Sequence, residues 1–335
     1  MDIFTQALLG SAVAQLGAKK SEIKIATFIG CIAGILADAD IFIQSANDPL
    51  LFLDYHRHFT HAIAFIPIGA LIGALVCWPF VRKNISFSRL YFFAFLGYLL
   101  SGILDAFTGY GTHLLLPFSD ERIAANLISV IDPIFTLSLI VGVIGNIKFK
   151  SKKITIYSLL FCTVYLTTAY VQQGRAIDIQ SEIATNRGHL IEKSIVKPTL
   201  GNIVLWRSIY LYQDNYYIDA IRVGLANDRI YQGETVKSVS PDINFSLIDI
   251  DSQLYQDIMR FQSFSNNYIA LDPRDQSILG DIRYSMLPAS ANPLWGIIID
   301  PNKADQHSPY LTMRKHNKKS RQQYINMILG QDINR

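Results

Sequence analysis

Apolar residues crowd the first 174 positions of the chain, and an ordinary mixture of polar and apolar residues follows. Five apolar runs, roughly 23–44, 61–81, 89–108, 126–147 and 154–172, approach the ~20 residues that an α-helix needs to cross a bilayer. A sixth segment, 3–17, is apolar but short, and it reads equally as a tilted span, a half-span or an interfacial helix. Further on, Ile203 to Tyr212 and Tyr216 to Val223 are two β-branched and aromatic runs around a short polar turn, the pattern of a hairpin. Short strands are expected near 229–232, 281–286 and 295–299, and helices at 175–192 and about 250–263. The pattern predicts a mainly α fold: residues 1–174 form a polytopic helical membrane bundle of five to six segments, and an α+β extramembrane domain follows over 175–335.

Charge orients this set. If the ends near 19–24, 82–89 and 148–153 face the cytoplasm, that side collects Lys19, Lys20, Lys24, Arg82, Lys83, Arg89 and the four lysines between 148 and 153. The opposite side keeps only Arg57 and Arg122 before position 174, which is the positive-inside pattern. On this reading the final span delivers residues 175–335 to the non-cytoplasmic side. Net charge is only +3, so composition gives no support for nucleic-acid binding. Cys31, Cys77 and Cys162 all lie inside apolar runs with no CxxC spacing, and they are expected to pack as small hydrophobes. The start lacks the basic n-region of a cleavable signal peptide. Arg314, Lys315, Lys318, Lys319 and Arg321 make a basic tail, read as a solvated helix face rather than a headgroup contact.

The same orientation gathers Asp38, Asp40, His56, His58, His61, Asp105 and Asp132 at the non-cytoplasmic ends of the spans. Hydrocarbon rejects an ionised group at roughly 2.5–3.5 kcal/mol on insertion scales, so such residues need partners or a purpose. Asp38 and Asp40, two apart, would point to nearly opposite sides of a continuous helix and serve one site better where a helix unwinds. Three imidazoles within His56-Arg57-His58-Phe59-Thr60-His61 suit a divalent metal such as Zn when carboxylates face them. Thr60 is the expected N-cap of the span that begins at His61. Arg57 is placed to pair with a carboxylate or to clamp a phosphate. His113 reads either as a ligand or as an interfacial surface histidine, and Asp120 with Arg122 as a local ion pair. Asp132 before Pro133 reads as a ligand, as a partner of a ligating histidine or as a helix cap.

The ordered set Met1-Asp2-Ile3-Phe4-Thr5-Gln6, Asp38-Ala39-Asp40, His56 to His61, and Leu104 to Thr112 continuing through Pro117-Phe118-Ser119-Asp120 resembles the YdjM-like family. These are bacterial inner-membrane proteins classed as metal-dependent hydrolases and thought related to the zinc-dependent phospholipase C and nuclease group. The motifs cover about residues 1–145, and the Trp206-Arg207-Ser208 and Tyr216-Tyr217 region looks like the extra domain of some members. The resemblance implies that Asp38, Asp40, His56, His61 and Asp105 bind metal. Two positions depart from the family pattern. Gln6 stands where many members have His, and Ser101 stands where a further His precedes the aspartate that Asp105 matches.

The reading that follows is a membrane-bound metal-dependent hydrolase of a bacterial inner membrane, multi-pass, with its C-terminal domain periplasmic or extracellular. The metal is expected to be Zn, with Mn or Fe as substitutes, and His58 or Asp132 to serve as acid/base or to support a ligand. A site at the bilayer surface suggests a phosphoester in a lipid or lipid-linked substrate. Two other classes stay open: a non-enzymatic membrane protein with a structural metal and a partner-binding outer domain, favoured by Gln6 and Ser101, and a transporter or proton relay. The acidic groups gather at one face instead of forming a path across, which counts against the last.

Overall fold

The computed structural model describes residues 1–224, 227–314 and 317–333. Among them, four helical stretches are long and apolar enough to cross a membrane: Ile23–Phe42, Ile63–Val81, Phe87–Ala106 and Lys152–Asn186. Two shorter apolar helices accompany them, α1 (Ile3–Gly17) and Pro133–Phe149. In chain order the helical region runs α1, α2 (Ile23–Leu36), α3 (Leu51–Tyr55), α4 (Ile66–Val81), α5 (Phe87–Tyr98), α6 (Ser101–Ala106), α7 (Pro133–Phe149) and α8 (Lys152–Asn186). The chain separates into two compact units, the first comprising 1–43, 55–171 and 200–203, the second 44–54, 172–199 and 204–335.

In the first unit, α1 is enclosed by its neighbours, with Thr5 to Gln15 buried apart from half-buried Leu8. At 15 residues it is only about 22 Å long, short of the ~30 Å hydrocarbon core. Glycines let the helices approach: a Cβ on Gly10 would strike the Gly30 carbonyl of α2 and the Gly97 carbonyl of α5. A polar knot adds to this packing. Gln15 donates to Thr27 Oγ1 and the Val143 carbonyl and accepts from Asn146 and Thr155, which ties α1 to α2, α7 and α8. Outside, apolar residues stand exposed at helical spacing, such as Ile68, Leu71 and Leu75 on α4 and Tyr157, Leu160 and Val164 on α8. Helices that are apolar outside as well as inside suit a lipid surround.

Several boundaries differ from the hydrophobic pattern. The span at 61–81 becomes helical only at Ile66, with Pro67 in its first turn where its missing N–H costs nothing. Two short 3-10 turns, Phe59–His61 and Ile63–Phe65, precede it, so Thr60 is no N-cap. The run at 126–147 begins its helix at Pro133, because the residue before proline is driven to extended backbone and Asp132 (φ −129°, ψ 105°) caps from there. The run at 89–108 divides into α5 and α6. The separate helix expected at 175–192 is instead the continuation of α8, which Gly174 does not break.

The second unit carries two four-stranded antiparallel meanders. The first joins β1 (Lys193–Pro198), β2 (Leu205–Tyr212), β3 (Asn215–Arg222) and β4 (Arg229–Lys237); the second joins β5 (Ile269–Asp272), β6 (Asp275–Asp281), β7 (Trp295–Ile298) and β8 (Tyr310–Thr312). The predicted hairpin is β2–β3, closed by Gln213 and Asp214 with φ of 47° and 59°, the left-handed pair that a two-residue turn needs. The strand expected at 281–286 ends at Asp281, whose carboxylate accepts the Arg283 N–H and turns the chain. Helices α9 (Pro241–Asn244), α10 (Gln253–Phe264) and α11 (Lys318–Leu329) complete the unit. Lys318, Lys319 and Arg321 of the basic tail thus lie in a helix, anchored by buried Met327 against Leu205, Ala220 and Tyr231; Arg314 precedes that helix and Lys315 lies outside the described residues.

Candidate metal centre

The α-helix of α2 stops at Leu36 and the chain continues as a 3-10 turn over Ala37–Phe42. Three residues per turn, instead of 3.6, swing residues two apart towards each other, so Asp38 and Asp40 both turn inwards and are buried. Arg57, at φ 59°, reverses the chain between His56 and His58. Gly102 lets α6 lie directly on the backbone of His61, where any Cβ would strike the His61 carbonyl. Tyr98, which the sequence reading missed, donates from its hydroxyl to the Thr60 carbonyl at 2.6 Å and holds the loop from the α5 side.

Three of the predicted residues converge. His61 Nε2 lies 3.0 Å from Asp105 Oδ2 and 3.4 Å from Asp38 Oδ1, and one ligand atom from each residue falls within 4.8 Å of the others. All three are buried. Asp40 stands behind them: its Oδ2 accepts from the Arg57 N–H at 2.7 Å and the Thr60 hydroxyl at 2.9 Å, and lies 3.4 Å from His61 Nδ1. Its Oδ1 faces His56 Nδ1 at 3.1 Å. Burial pulls the His56 pKa below its ordinary value against the opposing pull of Asp40, which favours a neutral imidazole. Arg57 reaches Asp105 Oδ1 at 3.2 Å, Thr108 Oγ1 at 3.0 Å and the Met1 carbonyl at 3.3 Å, and the Met1 amino group also contacts Asp105 Oδ1.

Hydrogen-bond accounting fixes the tautomer of His61. The Thr60 hydroxyl has one proton and gives it to Asp40, so towards His61 Nδ1, at 3.0 Å, it can only accept. Nδ1 therefore carries a proton. In the neutral ring Nε2 then holds a lone pair aimed between two carboxylates, an arrangement that is repulsive until a metal ion or a second proton joins it. The site has the corresponding gaps: Asp38 Oδ2, His61 Nε2 and Asp105 Oδ2 are buried and make no hydrogen bond, while Asp105 Oδ1 is taken up by Arg57 and the Met1 amino group. Three such atoms in one place suit a nitrogen–oxygen ligand set for a divalent ion.

The remaining predicted residues lie elsewhere. Asp132 caps α7, accepting the N–H groups of Ile134 and Phe135 at 3.1 Å and the Tyr165 hydroxyl at 2.8 Å. His58 turns away from His61 and joins His113 and Asp120: its Nε2 is 3.8 Å from Asp120 Oδ1, and the His113 ring is 4.8 Å away, centroid to centroid. Asp120 thus faces histidines, while Arg122 reaches the His56 carbonyl at 3.4 Å. Gln6 and Ser101 meet: Gln6 donates to the Ser101 carbonyl at 3.1 Å, and the Ser101 hydroxyl donates to the Gly34 carbonyl. The chemistry of Asp38, His61 and Asp105 was legible in the sequence; the buttress from Tyr98 had no signal there beyond its place one turn before Ser101.

The residues of this cluster lie inside the part of the chain that a known family covers. The YdjM inner membrane protein family matches residues 1–176, which holds every residue of the cluster. The chain is also similar to "Uncharacterized protein YfhP" of Bacillus subtilis (strain 168), 27% identical over 195 residues. That alignment covers 58% of this chain and 58% of the relative. No solved structure matches the chain.

Proposed function

Since this chain belongs to the YdjM inner membrane protein family, we propose that it is a membrane-bound metal-dependent hydrolase that cleaves a phosphoester in a lipid or lipid-linked substrate. The supporting observation is the convergence of Asp38, His61 and Asp105 with three buried ligand atoms, one on each, that make no hydrogen bond. These three residues would hold the ion. Asp40 orients His61 through Nδ1 and His56 through its other oxygen, the carboxylate–histidine relation that fixes a ligating ring. When bound, a divalent ion such as Zn supplies Lewis acidity, lowering the pKa of a water towards ~7 and polarising a phosphoryl oxygen.

Arg57 adds a fixed positive charge beside Asp105, suited to a phosphate oxygen. His58 and Asp132 were the sequence candidates for acid/base work. Of these, Asp132 already accepts three hydrogen bonds as a helix cap, and His58 faces His113 and Asp120 instead of the buried ligands. Lys and Arg placement supports a multi-pass topology with this face and residues 175–335 on the non-cytoplasmic side. A lipid-linked substrate is delivered to such a face by the bilayer itself.

One observation favours a second reading, a structural metal in a non-enzymatic protein: Gln6 and Ser101 bond to one another where family relatives carry further histidines. Hydrolysis of bis(p-nitrophenyl) phosphate by the detergent-solubilised protein separates the two. The hydrolase reading expects turnover that chelator removes, Zn or Mn restores and Asp38→Asn abolishes. Metal binding without any turnover supports the structural reading.

A further inference from the structure

The histidine-rich loop feeds two places. Because Arg57 reverses the backbone, His56 and His61 turn to the buried carboxylates while His58 turns to a segment beyond α6. That segment is pinned by backbone bonds: His113 N–H donates to the Arg57 carbonyl at 3.1 Å, and Thr112 and Ile123 exchange a bridge at 3.0 and 2.8 Å. The result brings His58, His113 and Asp120 together from separate parts of the sequence, with one ligand atom of each within 4.8 Å of the others.

We propose that His58, His113 and Asp120 form a second metal site, half-exposed and separate from the buried centre, for a late divalent transition ion such as Zn or Cu. The dimensions fit. With metal–ligand bonds of ~2.0–2.1 Å, neighbouring ligands of a tetrahedral ion stand roughly 3.3 Å apart. Asp120 Oδ1 lies 3.2 Å from His113 Nδ1 and 3.8 Å from His58 Nε2. His58 Nδ1 is buried without a hydrogen bond, and in the metal-free ring an Nδ1–H of His113 donates to the Asp120 carbonyl at 2.9 Å, a proton that shifts to Nε2 when Nδ1 takes the ion. Two imidazoles and one carboxylate select zinc, copper or nickel over magnesium and calcium, which prefer all-oxygen shells. Three protein ligands leave a position open, and the Asp120 side chain is 80% exposed, so solvent and chelators reach this ion directly. The inner ligands are buried, and their ion exchanges more slowly.

The test is metal stoichiometry and affinity by isothermal titration with Zn and by mass spectrometry of bound metal, on the full chain in detergent. The wild type is expected to take two equivalents, one removed quickly by chelator and one slowly. His113→Ala and Asp120→Ala should each remove or weaken the fast equivalent at least 10-fold and spare the slow one; His61→Ala should do the reverse. Asp120→Ala guards against misfolding, because its side chain is mostly in solvent. Loading with Cu and reading nitrogen hyperfine couplings should show two imidazoles that His58→Ala reduces to one. If His113→Ala and Asp120→Ala bind as the wild type does while His61→Ala loses its equivalent, the second site is overturned and the buried centre stands. Loss in His113→Ala and Asp120→Ala alone upholds the second site and removes the buried one. A wild type that binds nothing overturns both.

Discussion

Each unit of this molecule buries a group of charged side chains, and the two groups are treated oppositely. In the β-sheet unit, Arg207 gives its guanidinium to the carbonyls of Ile282, Leu287 and Pro288, and Arg283 pairs with Asp281 and donates to the Phe264 carbonyl. Both guanidinium groups have protein partners, although burial still pulls Arg207 down to about 9. In the helical unit, Asp38, His61 and Asp105 converge and leave three acceptor or ligand atoms without a hydrogen bond. A satisfied network holds a fold in one arrangement. A convergence of acceptors with open valences is the kind of place that could hold a metal ion. The exception in the β-sheet unit is Lys197, whose buried Nζ has no hydrogen bond and sits 3.2 Å from the Tyr284 ring centroid. Burial holds its pKa well below the usual lysine value, so a lone donor over an aromatic face is the whole anomaly.

The largest effect should come from the unsatisfied side. His61→Ala or Asp38→Ala should abolish metal uptake at the buried centre, read as loss of the slowly exchanging equivalent, while the β-sheet unit keeps its strand circular dichroism. Next, Arg283→Ala should cost about 3–5 kcal/mol, because it strands the buried Asp281 carboxylate, and thermal unfolding should show it with metal binding intact. Asp40→Asn should weaken metal affinity about 10–100-fold without eliminating it, since Asp40 acts on His61 from behind. The smallest change is Lys197→Met, which should leave stability unchanged or raise it by ~1 kcal/mol by replacing an unbonded buried amine with an apolar chain of similar length. A large loss in that variant would mean that Lys197 has a partner role, and the contrast between the two units would weaken.

Much of this was readable from the chain. The apolar runs gave four membrane-length helices, and the hairpin at 205–222 was visible from its residues and turn. The pairing of Asp38 with Asp40 already argued for an unwound helix end, and the 3-10 turn is that end. What composition could not reveal was backbone direction. His56, His58 and His61 look equivalent in sequence, and only the positive φ at Arg57 sends His58 to different partners. Asp132 reads as an intramembrane carboxylate until Pro133 starts a helix behind it and makes it a cap. The continuity of α8 escaped notice because apolar character ends near 172 while helical geometry does not.

The central claim is that Asp38, His61 and Asp105 surround a cation. Element-specific anomalous diffraction from crystals of protein purified without chelator tests it most directly. A peak at a transition-metal edge, about 2 Å from His61 Nε2 and from a carboxylate oxygen of Asp38 and of Asp105, is the predicted result. An unoccupied cluster in which His61 Nε2 donates hydrogen bonds to those two carboxylates would contradict it.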